Sequence, residues 1–336
     1  MLTITICGGG SLGHVCAGVL ASHTDVRVNV LTQQPERWAD TITITDLNGK
    51  RYEGQLGVVS SDPAEALRGA VIVFLCLPGY AIESTLQRIR NHIGNACVGS
   101  IVCSTGFFFA AHRVLGPDAP LFGFQRTPFI ARTTAYGSAA NLLGYKSSVA
   151  IATENIADTE AFRTLVERLW LTPTRLLRSH YEVSITNSNP ILHTARLYTL
   201  WHDWDGSPTD RCLLFYREWT VAASELLIAM DREFMALVSV LPVTPGAIPP
   251  LLEYYESHDA ESLTRKISSI PAFVDILAPM CQLPEGGWVP DFRSRYFTED
   301  FPYGLQIIVR LAHEHAVPVP TLQRVLDWGL SVANPS

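Results

Sequence analysis

The chain has 336 residues, of which 47% are hydrophobic and 17% charged, as expected for a folded protein of about two domains. Its formal net charge of −7 disfavours a general binder of nucleic acids or anionic membranes. No apolar run reaches the roughly 18 residues of a membrane span, so we expect no membrane partner. These properties leave small molecules as the expected partners.

The cysteines of the chain indicate a reducing environment. Seven of them are spread along the sequence without a CxxC pair, and most lie in apolar stretches. We therefore expect buried, reduced thiols and a cytoplasmic location. Zinc-binding spacings and a phosphate-binding P-loop are both missing from the sequence, and we expect no metal.

The N-terminal segment has the order strand, glycine-rich turn and helix. The apolar run Leu2–Cys7 precedes GGGSLGH, in which Gly8, Gly10 and Gly13 satisfy the pattern G-x-G-x-x-G. The first glycine allows a tight turn, the second lets a pyrophosphate approach the backbone, and the third lets the helix pack closely on the strand. This pattern predicts a doubly wound, Rossmann-type sheet. The predicted cofactor contacts in the turn are Gly8, Gly9, Gly10, Ser11, Leu12 and Gly13.

The end of the second predicted strand, Val26–Leu31, bears on the choice of cofactor. About 20 residues beyond the glycines, enzymes specific for NAD usually present an acidic residue to the ribose. This chain has Thr32 and Gln33 there, which would not repel a 2′-phosphate, and Arg37 could reach one. The sequence therefore favours NADP over NAD, with a solvated Arg37 as the alternative interpretation.

Two later strands end in turns that contain small residues. The apolar run Val71–Leu77 is followed by Pro78, and the next apolar run is followed by a turn that contains Thr105. Turns at the carboxyl ends of parallel strands lie near bound dinucleotides. Leu77, Pro78 and Thr105 are therefore further candidate cofactor contacts.

A second candidate site begins in the middle of the chain, at TNSNPILHTARL (186–197). Asn189 has the character of a helix N-cap, and Pro190 fits the first helical position. His193 then lies one turn after the cap, on the same face as Asn189. The positive end of the helix dipole disfavours a protonated imidazole unless a carboxylate lies nearby. The pattern therefore predicts an acidic partner for His193. The alternative interpretation is a histidine that is only packed in the core.

The segment 295–304, rich in charged and aromatic residues, contains the candidate acid. It precedes an apolar helix, so we expect an ordered loop. Asp300 is the preferred partner of His193, with Glu299 as the rival. Arg295 is a cation that could hold a substrate carboxylate by a bidentate pair. A surface loop of ion pairs is the alternative interpretation.

The rest of the second half has a helical pattern. Apolar spacings near 3.6 over 212–241 predict one long helix or two joined by a kink. Residues 284–290 are predicted to form a loop, and 305–315 a further helix. We therefore expect an all-α C-terminal domain.

Taken together, the motifs resemble those of the octopine/nopaline (opine) dehydrogenase family. They are GGGSLGH near the N terminus, N-x-N-P-x-x-H in the middle and R-Y-x-x-E-D-x-P-x-G near the end. The resemblance implies a Rossmann domain (1–180) followed by an all-helical substrate domain (181–336). It also implies reductive condensation of an α-keto acid with the amino group of an amino acid, using NADH or NADPH. His193 matches the catalytic histidine of the family and Asp300 its carboxylate partner. Asn189 matches a positioning asparagine, and Arg295 the arginine near the substrate carboxylate.

Two other functions stay open on the sequence. This architecture also suits a dehydrogenase of simple 2-keto or 3-hydroxy acids, similar to ketopantoate reductase, and it suits a cofactor-binding sensor without turnover. A paired His193 and Asp300 argues against the sensor, which has no need of a proton relay. The expected partners are a keto acid and an amino acid, with no nucleic acid and no membrane, and a homodimer is compatible with the sequence.

Overall fold

A computed structural model describes residues 1–333 of the chain. These residues fall into two compact units, Met1–Ser184 and a second unit that begins at Ile185. Within the described residues, no helix combines the length and the hydrophobicity that crossing a membrane requires.

The first unit alternates strands and helices. Its strands are β1 (Leu2–Cys7), β2 (Val26–Leu31), β3 (Thr41–Asp46), β4 (Arg51–Gln55), β5 (Val59–Ser60), β6 (Ile72–Leu75), β7 (Cys97–Ser100), β8 (Leu121–Phe124), β9 (Phe129–Ala135), β10 (Ala139–Tyr145), β11 (Val149–Glu154) and β12 (Thr174–Leu176). Its helices are α1 (Ser11–Ala21), α2 (Pro63–Ala66), α3 (Gly79–Ile89), α4 (Phe107–Leu115), α5 (Thr159–Trp170) and α6 (Tyr181–Ser184), with short 3-10 turns at Pro35–Arg37 and Cys103–Thr105.

The main sheet has the strand order β12-β11-β8-β7-β6-β1-β2-β5. Strand β1 pairs in parallel with β2 and β6, and Ile4 lies opposite both Val28 and Ile72. The pairing of β8 with β11 is antiparallel, whereas β8 is parallel to β7 and β11 is parallel to β12. Ile4 and Ile6 are fully buried, because helices cover both faces of a sheet of this kind. The predicted Rossmann-type α/β fold is confirmed.

A second, four-stranded sheet of order β4-β3-β10-β9 accompanies the first. Strands β3 and β4 form a hairpin, and Asp46 accepts hydrogen bonds at 2.8 and 2.9 Å from the backbone of Asn48 and Lys50 in its loop. Gly18 of α1 lies against this sheet so closely that a Cβ atom there would be 2.3 Å from the Ile44 side chain. The second sheet therefore packs directly on the helix that follows the glycine-rich turn.

The described part of the second unit consists of helices, one small hairpin and irregular segments that connect them. Its helices are α7 (Asn189–Trp201), α8 (Val221–Val240), α9 (Leu251–Tyr254), α10 (Ala260–Ser269), α11 (Gln306–Glu314) and α12 (Pro320–Ala333), together with a 3-10 turn at Pro271–Phe273 and a π-helix at Tyr296–Leu305. Strands β13 (Met280–Gln282) and β14 (Trp288–Pro290) pair with each other.

The structure differs from the predicted elements of this unit in three places. The predicted long helix over 212–241 is helical only from Val221, because residues 212–219 form an irregular segment that pairs with backbone near 276–278. The predicted loop at 284–290 ends in strand β14. The predicted loop at 295–304 is a π-helix that continues into α11.

The cysteines are all free thiols. Cys7, Cys16, Cys76 and Cys103 are buried, whereas Cys281 is exposed. Burial raises the pKa values of Cys7, Cys16 and Cys103, so these thiols stay protonated at neutral pH.

Candidate active site

The glycine-rich turn leaves open space where the sequence predicts a bound pyrophosphate. Gly8 has φ +126°, and a Cβ atom there would lie 2.6 Å from the carbonyl oxygen of Cys76. A Cβ atom on Gly13 would lie 2.0 Å from the carbonyl oxygen of Gly8, so α1 can approach β1 only because residue 13 is glycine. Around Gly10, by contrast, no atom lies within 4 Å of such a Cβ. The turn is thus closed on the protein side and open on the side that a ligand would approach.

His14 connects this turn to the second sheet. Its Nδ1 lies 2.9 Å from the carbonyl oxygen of Gly10, and its Nε2 accepts a hydrogen bond of 2.6 Å from the backbone N–H of Gly137. Nδ1 therefore carries the proton of a neutral ring. Burial lowers the pKa of His14, and its ring stacks on Trp38 with a centroid distance of 4.4 Å. We infer a structural role for this histidine.

A pocket of about 290 Å³ lies beside the turn. It brings together several of the predicted cofactor contacts, namely Gly8, Gly9, Thr32, Gln33 and Leu77. Its remaining walls are formed by Cys7, Leu31, Gln34, Thr85, Arg88 and Tyr136. No acidic side chain is among these residues, so the pocket does not repel a phosphate.

Other predicted contacts have different surroundings. The hydroxyl of Ser11 lies 3.1 Å from that of Thr133 in β9. Thr105 donates a hydrogen bond of 2.7 Å to the carbonyl oxygen of Val102. Gly10, Leu12, Gly13 and Pro78 do not line the pocket, although Pro78 precedes the first residue of α3.

Arg37 lies over an aromatic ring next to the pocket. Its guanidinium carbon is 4.2 Å from the ring centroid of Tyr136, and its Nη1 donates a hydrogen bond of 2.7 Å to Gln34. Tyr136 and Arg88 are wall residues that the sequence reasoning missed: Tyr136 lies in the turn directly after β9, and Arg88 lies within α3. A basic residue in the last turn of α3 is the only signal that pointed to Arg88.

The second candidate site begins at the start of α7, where the cap differs from the prediction. Ser188, rather than Asn189, occupies the N-cap position, and no side chain caps the helix there. Asn189 is the first helical residue and is exposed, and Pro190 is the second. The buried asparagine is Asn187, which donates hydrogen bonds of 2.8 Å to Asp231 and 2.9 Å to the carbonyl oxygen of Pro249.

His193 has a hydrogen-bond partner at each ring nitrogen. Its Nδ1 lies 2.8 Å from Oδ2 of Asp300, and its Nε2 lies 2.8 Å from the hydroxyl of Tyr216. A carboxylate can only accept, so Nδ1 donates and Nε2 of the neutral ring accepts from the hydroxyl. Asp300, rather than Glu299, makes this contact. His193 is only 9% exposed, and the rings of Phe215 and Tyr296 lie 5.7 and 4.8 Å from its imidazole.

The π-helix brings Asp300 to His193. Helices of this type are rare and occur frequently at functional sites. Gly304 packs against Pro190 so closely that a Cβ atom there would lie 2.8 Å from the proline ring. This approach holds the π-helix against the first turn of α7. Arg295 precedes the π-helix as an exposed side chain, and the salt bridges among residues 1–333 do not include it.

Tyr216 lies in the irregular segment 212–219, which is hydrogen-bonded to a side chain of α7. Arg196 is 2% exposed and donates hydrogen bonds of 3.0 and 2.6 Å to the carbonyl oxygens of Phe215 and Glu218. Burial lowers the pKa of Arg196 to about 10, although nearby Glu218 opposes the shift. The Glu218 carboxylate accepts from the backbone N–H of Leu214 at 2.6 Å and pairs with Arg211. The sequence pattern had suggested a helix here, so it could not indicate Tyr216.

The chain matches known dehydrogenases over nearly its whole length. Residues 176–333 match the family described as NAD/NADP octopine/nopaline dehydrogenase, alpha-helical domain. Octopine dehydrogenase of Mizuhopecten yessoensis is 29% identical, over 97% of this chain and 89% of its own. Two structures of octopine dehydrogenase, with NADH and L-arginine or with NADH and pyruvate, are 26% and 25% identical. They align with TM-scores of 0.88 and 0.87, over 98% and 99% of this chain and 89% and 90% of theirs.

A Rossmann unit followed by a helical unit that contains a histidine–carboxylate pair defines the general class as a dinucleotide-dependent dehydrogenase. Within that class, the chain is similar to the octopine/nopaline (opine) dehydrogenase family, whose helical-domain model matches its second half. The resemblance inferred from the three sequence motifs is thereby confirmed.

Proposed function

We propose that this chain is an NAD(P)H-dependent opine dehydrogenase. The reaction joins the amino group of an amino acid to an α-keto acid and reduces the resulting imine to a secondary-amine dicarboxylate. The observation that carries the proposal is the hydrogen bond between buried His193 and half-buried Asp300, in a unit that matches the helical domain of this family. The L-arginine and pyruvate bound to octopine dehydrogenase support an amino acid and a keto acid as the substrate pair. Seven free thiols support a cytoplasmic location.

The glycine-rich turn fits a dinucleotide. The open space at Gly10 and the backbone N–H groups at the start of α1 suit a pyrophosphate, because a helix N-terminus attracts anions. The first turn of α1 contains no acidic residue that would oppose it. When bound, the reduced nicotinamide supplies the hydride of the reaction.

The residues of the second site exchange a proton with the substrate and bind it. His193 exchanges the proton that accompanies hydride transfer, and Asp300 holds its Nδ1–H so that Nε2 takes part. Arg295, whose guanidinium is exposed, binds a substrate carboxylate. Asn189, one turn before His193 and also exposed, orients the substrate by hydrogen bonding.

The test combines each of a set of amino acids with each of a set of keto acids, in the presence of NADH or NADPH. Oxidation of the cofactor is the measured quantity. We expect oxidation to require both substrates together. His193→Ala should lower kcat by about 100-fold or more and leave cofactor binding nearly intact. His202→Ala, an exposed histidine just beyond the end of the same helix, is the control and should keep full activity.

Two results would replace the proposal. Oxidation at full rate with a keto acid alone would make the chain a 2-keto or 3-hydroxy acid dehydrogenase. Cofactor binding without oxidation across the whole panel would make it a sensor. Loss of cofactor binding in His193→Ala would contradict the catalytic assignment.

We further propose that NADPH is preferred over NADH. Thr32 and Gln33 form part of the pocket wall, and no acidic side chain lines this pocket to hold the ribose hydroxyls. Arg88 lines the same pocket, and Arg37 lies on the ring of its wall residue Tyr136. Both cations favour a 2′-phosphate.

Arg37→Gln tests this preference. Because a hydrogen-bonded ion pair with phosphate is lost, kcat/KM for NADPH should fall by about 10-fold or more, with little change for NADH. Arg90→Gln, which removes an exposed charge at the end of α3, is the control. Equal losses for both cofactors, or a wild-type enzyme that prefers NADH, would contradict the proposal.

A further inference from the structure

His193 has no free ring nitrogen in this structure. Asp300 occupies Nδ1 and the hydroxyl of Tyr216 occupies Nε2, each at 2.8 Å. His193 is 9% exposed, and the aromatic rings of Phe215 and Tyr296 lie against its imidazole. The nitrogen that must exchange a proton therefore contacts a phenol.

A phenol hydroxyl is suited to pass a proton on. It donates one hydrogen bond and accepts others, so it can take a proton from one side and release one from the other. Burial raises the pKa of Tyr216, and nearby Tyr296, Tyr255 and Asp300 raise it further. The hydroxyl therefore stays protonated at neutral pH and is available as a donor.

Hydrogen bonds to the neighbouring backbone and a stacked aromatic ring set the position of this hydroxyl. Arg196, three residues after His193 on α7, donates to the carbonyl oxygens of Phe215 and Glu218 on either side of Tyr216. Phe273 stacks on the Tyr216 ring with a centroid distance of 4.4 Å. The same helix thus fixes both the imidazole and the hydroxyl that faces it.

We propose that Tyr216 is a further catalytic residue, whose hydroxyl relays the proton between His193 and the substrate. The inference rests on the proposed catalytic role of His193. In the direction of reduction, Nε2–H of the protonated imidazole passes its proton to the Tyr216 oxygen. The phenol O–H bond breaks in the same step, and its proton goes to the substrate nitrogen as hydride reaches the imine carbon. Tyr216 is neutral before and after the step, and His193 ends neutral.

Tyr216→Phe tests the relay with minimal change in packing. We expect kcat to fall by about 100-fold or more, the range typical of a lost general acid–base group, with KM for both substrates little changed. Tyr198→Phe is the matched control, because it removes a phenol hydroxyl on α7 from a ring that stacks on His202. This control should keep wild-type kcat.

A proton inventory separates a relay from a structural effect. In mixtures of H2O and D2O, with hydride transfer made rate-limiting, a relay moves two protons in one step. The plot of kcat against deuterium fraction should then be curved for the wild type and linear for the residual activity of Tyr216→Phe. An equally curved plot in the variant would overturn the relay.

Other outcomes are equally decisive. Full activity of Tyr216→Phe beside an inactive His193→Ala would overturn the relay, since the hydroxyl would then only occupy the place of a substrate atom. That result would leave the proposed function intact. A loss expressed mainly in KM, or a large fall in unfolding temperature, would assign Tyr216 a structural role instead. A wild-type enzyme without two-substrate activity would overturn the proposed function itself.

Discussion

His180, next to α6 in the first unit, is a buried imidazole with an unsatisfied atom. The residue is 8% exposed, and its Nδ1 has no hydrogen-bond partner among the described residues. Its ring stacks on Phe108, and its Nε2 lies 3.8 Å from the carboxylate of Glu154. Burial lowers the pKa of His180 to about 4, a shift that Glu154 opposes and His112 reinforces. The folded protein therefore holds this ring neutral.

This environment predicts a loss of stability in mild acid. The unfolded chain binds a proton at His180 near pH 6.5, whereas the folded chain binds it only near pH 4. The stability from the neutral ring is complete above pH 6.5 and declines as the pH falls towards 4. When the pH falls from 7 to 5, this effect lowers the free energy of unfolding by about 2 kcal/mol.

Urea denaturation of wild type and His180→Gln at pH 7 and pH 5 measures this contribution. We expect the difference between the two pH values to shrink by about 2 kcal/mol in the variant. His92→Gln, which removes an exposed imidazole, is the control and should behave like wild type. An unchanged pH dependence in His180→Gln would contradict the prediction, because it would mean that folding does not change the pKa of His180.

At the scale of elements, the contact between the π-helix and α7 places Asp300 within hydrogen-bond distance of His193. Gly304 lies against Pro190, and a Cβ atom at residue 304 would be 2.8 Å from the proline ring. On the other side, Phe301 fits against Gly329 of α12, where a Cβ atom would be 2.0 Å from the Phe301 ring. The π-helix is therefore held between two helices that approach through glycine.

Gly304→Ala should weaken both the fold and the His193–Asp300 hydrogen bond. Alanine favours helix by about 1 kcal/mol, but the rigid proline ring cannot yield easily to the new methyl group. We expect a net destabilisation of about 1–3 kcal/mol and a fall in kcat, because the displaced π-helix moves Asp300 away from His193. Urea denaturation and steady-state kinetics measure the two effects.

The control for this variant lies in the same π-helix. Thr298→Ala changes an exposed position and should alter the free energy of unfolding by less than about 0.5 kcal/mol. Wild-type stability and kcat in Gly304→Ala would mean that the contact with Pro190 tolerates a methyl group and does not position Asp300.

At the scale of the whole molecule, the sequence predicted the features that depend on local chemistry. Strand β1, the turn after it and α1 follow from an apolar run and three glycines whose roles are steric. The α/β first half and helical second half follow from hydrophobic periodicity. The helix predicted for the segment 212–219 was wrong, because its apolar residues contact the rest of the second unit without forming a helix.

The sequence by itself determined the shape of the glycine-rich turn, because the glycines that form it are neighbours in the chain and their effect is local. It also singled out His193 and named Asp300, 107 positions further along the chain, as its preferred partner with Glu299 as the rival. Only the tertiary structure decided that His193 and Asp300 share a hydrogen bond and that Tyr216 occupies the other nitrogen of the ring. The reason is physical: hydrogen bonds act over about 3 Å, and only the packing of Gly304 on Pro190 and of Arg196 on its carbonyl partners brings such distant groups that close.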